Sequence, residues 1–258
     1  MGTAVLIAGL AALWGMEFPL VRGELAIPLA GTLGAGAGYL AVIGVGQLAW
    51  PRPSGVVRRA ALTPRGLPAV ASTWGPRLIW PALVVLVLAV VLPAWLAPLD
   101  GPSAGSRLIY RSSWNEPPSA VVTVRRALGL PWPGLRYGLP VLLAAVLVLA
   151  LAGCALRAVS NRAAVGDAGP AWDDATRAVV ARRIVTVTAG VLAAVGGQLV
   201  LAAGSRLMEV GTDSVLLEGR VLLILGAGWA LAGFAVGVAG ALWPARTSPG
   251  LARAGTAS

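Results

Sequence analysis

Histidine is absent from the chain, lysine is absent, and cysteine occurs once, at Cys154. Without histidine there are no Ser-His-Asp hydrolases, no His-dependent kinases or phosphatases, no haem held by His and no HExxH or zinc-triad sites. A lone cysteine closes no intramolecular disulfide and builds no cysteine metal cluster. Cys154 lies in an apolar run and is expected to be a small core or lipid-facing residue.

Charge is also scarce. Only 12% of residues are charged, where a soluble domain carries roughly a quarter, while 57% are hydrophobic and the mean hydropathy is +0.82. Composition therefore places the chain in a membrane. All twenty basic residues are arginine, and with so much Ala, Gly, Val and Pro this is the codon bias of a GC-rich bacterial genome. The net charge of +10 does not predict nucleic-acid binding, because the arginines are spread over every segment between apolar runs instead of forming one stripe with interleaved aromatics. At the ends of spans they set topology.

A membrane span needs about 20 apolar residues to cross roughly 30 Å of hydrocarbon. Five runs satisfy this: 28–50, 78–97, 137–157, 184–204 and 221–243. A sixth, 3–20, is weaker because Glu17 sits in its last turn, and it resembles a retained anchor more than a signal peptide. Trp50, Trp80, Trp95 and Trp243 fall at or near run ends, where an indole N–H meets headgroup water.

Residues 51–77 carry Arg52, Arg58, Arg59, Arg65 and Arg77 and no acid, so this connection is expected on the cytoplasmic side. Six spans then place both termini inside, residues 158–183 inside and residues 98–136 outside. The long outer loop fits less well, since it too carries five arginines. Within it, RLIYR and AVVTVRR are β-prone and flank SSWNEPPS, whose Pro117 and Pro118 forbid helix; a small extracytoplasmic β-hairpin is expected. It is either a folded connector or a ligand lid or partner epitope. On the other side, AWDDATRAVVARR has Asp173 or Asp174 as N-cap and Arg182 and Arg183 at its end, a helix expected to run on into the span 184–204.

Inside the five strong runs there is no Asp, Glu, Lys or His, and Arg157 falls at a boundary. Proton- and ion-coupled carriers place ionisable groups near the bilayer midplane, so such a carrier is not expected. Thr188 and Gln198 are the polar groups within 184–204. Each can bond to a neighbouring helix or, for Thr, back to its own. Gly34 and Gly38 form a GxxxG pair, and Gly226, Ala230, Gly233, Gly237 and Ala241 form a small-residue face, both suited to close helix packing or self-association. Pro93 has enough helix before it to kink the run 78–97.

These readings give an all-α fold: one polytopic transmembrane helix bundle over residues 1–258, of about six spans, with the hairpin outside. No catalytic, cofactor-binding or metal-binding residue is expected, and no cofactor. The function expected is that of a multi-pass integral protein of the cell membrane without enzymatic activity, a scaffold or partner subunit of a membrane complex. The alternative is the membrane subunit of an ATP-driven exporter or other transporter. Expected partners are the lipid bilayer and other membrane subunits or further copies, held through glycine-rich helix faces, and not nucleic acid. WPGLRYGLP entering one span and DDATRAVVARR entering the next resemble a loosely defined group of uncharacterised multi-pass integral membrane proteins of GC-rich bacteria. The resemblance covers roughly the second half of the chain and implies the architecture, with no activity or catalytic residue attached.

Overall fold

The computed structural model describes residues 26–49, 74–96, 106–111, 126–131, 135–162, 170–208 and 213–242. Five helices lie among them: α1 (Ala26–Leu48), α2 (Trp74–Leu96), α3 (Leu135–Asn161), α4 (Pro170–Met208) and α5 (Asp213–Leu242). Four contain stretches long and apolar enough to cross a membrane: Leu29–Leu48, Gly138–Asn161, Trp172–Ser205 and Leu216–Leu242. The chain is a helical membrane protein.

The expected count of about six spans is not reached among the described residues. The run 3–20 lies outside them. In α2, a helix of 23 residues, the described side chains give an apolar stretch of Arg77–Leu92.

The expected hairpin is also corrected. β1 (Ser106–Arg111) pairs antiparallel with β2 (Arg126–Pro131), in a register that sets Ser106 against Pro131 and Arg111 against Arg126. The second strand is thus RALGLP, which shares only Arg126 with the expected run AVVTVRR, the rest of that run lying outside the described residues. Proline favours extended backbone in the residue before it, as Pro131 does for Leu130 within the strand.

α4 is the axis of the bundle: α1, α2, α3 and α5 all pack on it. Pro170 opens it at the position where a missing N–H costs nothing. Its 39 residues extend about 58 Å, so the helix expected around Asp173 does run without interruption into the apolar stretch. Close pairs fix the directions. Gly75 meets Val185 and Gly196 meets Leu86, so α2 runs parallel to α4. Gly36 meets Val191, Gly44 meets Ala155, and Gly190 meets Gly237, so α1, α3 and α5 run the other way. Successive helices therefore alternate in direction, as successive crossings do. Leu40, Leu86, Leu192, Val195 and Leu199 are fully buried where α1, α2 and α3 surround α4.

α5 is attached differently. Gly190, Gly197 and Gly204 recur every seven residues on α4, and Gly219, Gly226, Gly233 and Gly240 do so on α5. The two rows face each other. A Cβ added at Gly190 would stand 2.6 Å from Gly237 Cα and 2.7 Å from Gly233 O; one at Gly197 would stand 2.7 Å from Ala230 Cα. Backbones touch along this line because no side chain separates them, the close approach that small residues permit in lipid. A strict seven-residue repeat keeps the seam facing its partner with a left-handed supercoil.

Candidate functional site: a buried charge clamp and a polar line on α1

Where α3 ends and α4 begins, three charged side chains are buried together: Arg162, Asp173 and Arg177. Asp173 is not the N-cap expected of it. It sits inside the first turn of α4, with Oδ1 accepting from Arg162 Nη2 at 2.8 Å and Oδ2 from Arg177 Nε at 2.9 Å. Asp173 and Arg177 are four residues apart and so share one side of the helix. Arg177 then reaches back to the end of α3, donating to the carbonyls of Val159 at 2.7 Å, Ser160 at 3.0 Å and Arg162 at 2.6 Å. Those carbonyls belong to the last turn of a helix and its exit, where no backbone N–H follows to satisfy them. Arg162 also donates to Gln47 Oε1 at 3.4 Å, tying the end of α1 to the same point.

The charge balance explains how this cluster tolerates burial. Two guanidinium groups face one carboxylate, and the excess positive charge meets the C-terminus of α3, equivalent to roughly half a negative charge. Both carboxylate oxygens accept and four of the five Arg177 N–H groups donate. The arrangement holds three helix ends in one geometry. It places no nucleophile beside a base, and among the described residues no three His, Cys, Asp or Glu side chains are placed to hold a metal.

The second feature runs along α1. Thr32, Tyr39 and Gln47 are the helix's three polar side chains, and spacings of seven and eight residues put them on one side. Each faces a polar group. Gln198 Nε2 donates to Thr32 Oγ1 at 2.9 Å, Gln47 accepts from Arg162, and Arg183 lies near enough to Tyr39 for its charge to act there. Gln198 Oε1 is buried with no hydrogen-bond partner.

Of the residues singled out in the sequence, Thr188 bonds back to Ile184 O at 2.7 Å, while Gln198 crosses between helices. Gly226, Ala230, Gly233 and Gly237 do line a helix contact, one made within the chain against α4. Cys154 is exposed on α3, and Trp80 is exposed near the start of α2. Glu17, Trp50, Trp243 and the SSWNEPPS turn lie outside the described residues, as does the side chain of Trp95. Sequence reasoning treated Arg162 and Arg177 only as topology charges; the Asp173/Arg177 spacing was the available signal. It missed the α1 line, for which the spacing of Thr32, Tyr39 and Gln47 was the sign.

No family model, no curated protein and no solved structure matches the chain.

Proposed function

We propose that this chain is a non-enzymatic, multi-pass protein of the cell membrane that serves as a scaffold or partner subunit of a membrane complex. One observation carries the reading: the buried ionisable groups of the described residues bind one another and helix-end carbonyls, so their chemistry is spent on fixing helix ends in place. A bundle whose charged groups act as fasteners is suited to presenting a fixed surface. Photo-crosslinking in the membrane from Leu231 and Phe234 on the outer side of α5, followed by affinity purification and mass spectrometry, tests it. A stoichiometric membrane partner is the expected result. Recovery of the chain alone, from both positions and at native expression, overturns it.

The orientation belongs to the same proposal. The end of α1, the start of α2, the end of α3 and the start of α4 lie on one side, and these helix ends with the connections between them carry Arg52, Arg58, Arg59, Arg65, Arg77, Arg157, Arg162, Arg177, Arg182 and Arg183. Such a concentration of arginine supports placing that side in the cytoplasm, with six spans counting 3–20 and both termini inside. A cysteine at Ser113 in a Cys154→Ala background is then labelled by an impermeant maleimide in intact cells. Labelling only after permeabilisation reverses the orientation.

The transporter reading has one observation in its favour, the polar line between α1 and α4. An ATPase recovered in the same purification would make it the better account.

A further inference from the structure

The polar line on α1 does more than fix the rotation of that helix. Thr32, Tyr39, Gln47, Arg183 and Gln198 are all half-buried, whereas Leu33 and Leu40 on α1 and Val195 and Leu199 on α4, their apolar neighbours, are buried. Ala37 and Ile43 on α1 and Ala193 on α4 are half-buried as well, so the margin of this helix contact is mixed in character. α1 and α5 both pack on α4 and not substantially on each other, an arrangement that leaves room for a crevice at that margin. At the clamp end the line meets Gln47 and Arg162; at its inner end it stops at Gln198.

Gln198 decides what occupies the crevice. Its Nε2 is used by Thr32, and its Oε1 is buried without a donor. A buried amide oxygen in hydrocarbon is strongly penalised unless something donates to it. Lipid tails carry no donor. Water does, and it is small enough to enter a crevice between helices and to find further polar partners along it. We propose that the boundary between α1 and α4 is a hydrated seam, entered from the clamp end, in which water donates to Gln198 Oε1. This goes beyond the scaffold reading and stands or falls separately from it, since it concerns solvent within the bundle and not what the bundle holds.

Thiol chemistry tests the seam, because charged methanethiosulfonates react with the thiolate, a form that exists only where water reaches. The full-length Cys154→Ala protein in proteoliposomes carries one new cysteine at a time: Thr32→Cys or Tyr39→Cys in the seam, Leu40→Cys in the packed core, Leu143→Cys on the exposed apolar side of α3. Modification at positions 32 and 39 is expected on the order of ten-fold faster than at 40 and 143. Rates at 32 and 39 as slow as at both controls overturn the proposal. Gln198→Met, close in shape and without the amide, gives a second reading when made in a Thr32→Val background, where the bond from Nε2 to Thr32 is already gone. If water solvates the amide, adding Gln198→Met lowers the melting temperature in detergent below that of Thr32→Val alone; a rise shows that the amide was dry and overturns the proposal.

Discussion

α4 and α5 are neighbours of similar composition that are held by opposite means. The apolar stretch of α4 is 72% buried and that of α5 is 11%. α4 is surrounded by four helices and carries the buried ion pairs at its start; α5 rests on α4 through one row of glycines and exposes Ile224, Leu231 and Phe234 elsewhere. The difference shows two ways of holding a helix in lipid, where apolar surface gives no drive to associate because tails are as apolar as leucine. One uses directional polar contacts, which are few and individually strong. The other uses close backbone contact, where many weak dispersion terms add up. The first fixes position at one end, and the second fixes separation along the whole length.

The largest effect that separates the two is expected at the clamp. Asp173→Ala leaves two buried guanidinium groups facing each other with no carboxylate between them, and breaking a buried pair from one side costs about 3–5 kcal/mol. Thermal unfolding in detergent should show a large drop in melting temperature, with single cysteines introduced at the end of α3 or the start of α4 becoming reactive first. Arg177→Met should cost less than Asp173→Ala. It removes a charge from a cluster with one cation in excess, although it frees the carbonyls of Val159, Ser160 and Arg162. Equal losses in the two variants would mean that the carbonyl contacts, and not the ion pairs, hold the helix ends.

The two modes differ in how far they could be read from sequence. The α5 row was legible because Gly226, Ala230, Gly233 and Gly237 stand out as small residues at helical spacing. Its partner on α4 was not seen, since Gly190, Gly197 and Gly204 are single glycines seven residues apart among alanines and valines. Four of the five strong runs were legible from length and hydropathy alone, and they fall on the apolar stretches Leu29–Leu48, Gly138–Asn161, Trp172–Ser205 and Leu216–Leu242. The clamp was not, because an arginine near a span end carries the same signal whether it meets headgroups or a buried carboxylate. Only the packing of α3 against α4 puts Arg162 beside Asp173, eleven residues away along the chain. The second strand was read too early in the chain: the expected run ended at Arg126, where β2 begins, and the composition of RALGLP gives little β signal beyond the extended backbone that Pro131 favours at Leu130.

The smaller effects lie along α5, where its glycines differ in the room they leave and should grade accordingly under one substitution, Gly to Ala. At Gly233 an added Cβ would stand 2.8 Å from the carbonyl oxygen of Gly190 and 2.9 Å from the carbonyl carbon of Ala193, backbone atoms that move only if the helices part. Overpacking of this kind costs about 1–3 kcal/mol. At Gly237 the nearest atom is Gly190 Cα at 3.9 Å, an ordinary contact, so Gly237→Ala should not destabilise even though both glycines belong to the same small-residue face. At Gly228, on the exposed side, nothing lies within 4 Å of the added carbon. There the methyl restricts the unfolded chain without meeting an obstacle in the folded one, and a gain of about 0.4–1 kcal/mol is expected. Melting temperatures of the three variants in one detergent should therefore run Gly233→Ala below wild type, with Gly237→Ala and Gly228→Ala at or slightly above it. A destabilised Gly228→Ala would show that this side of α5 is occupied in the folded protein. The helix would then resemble α4 more than its exposure suggests, with a partner or a further copy of the chain packed where the contrast between the two helices assigns lipid.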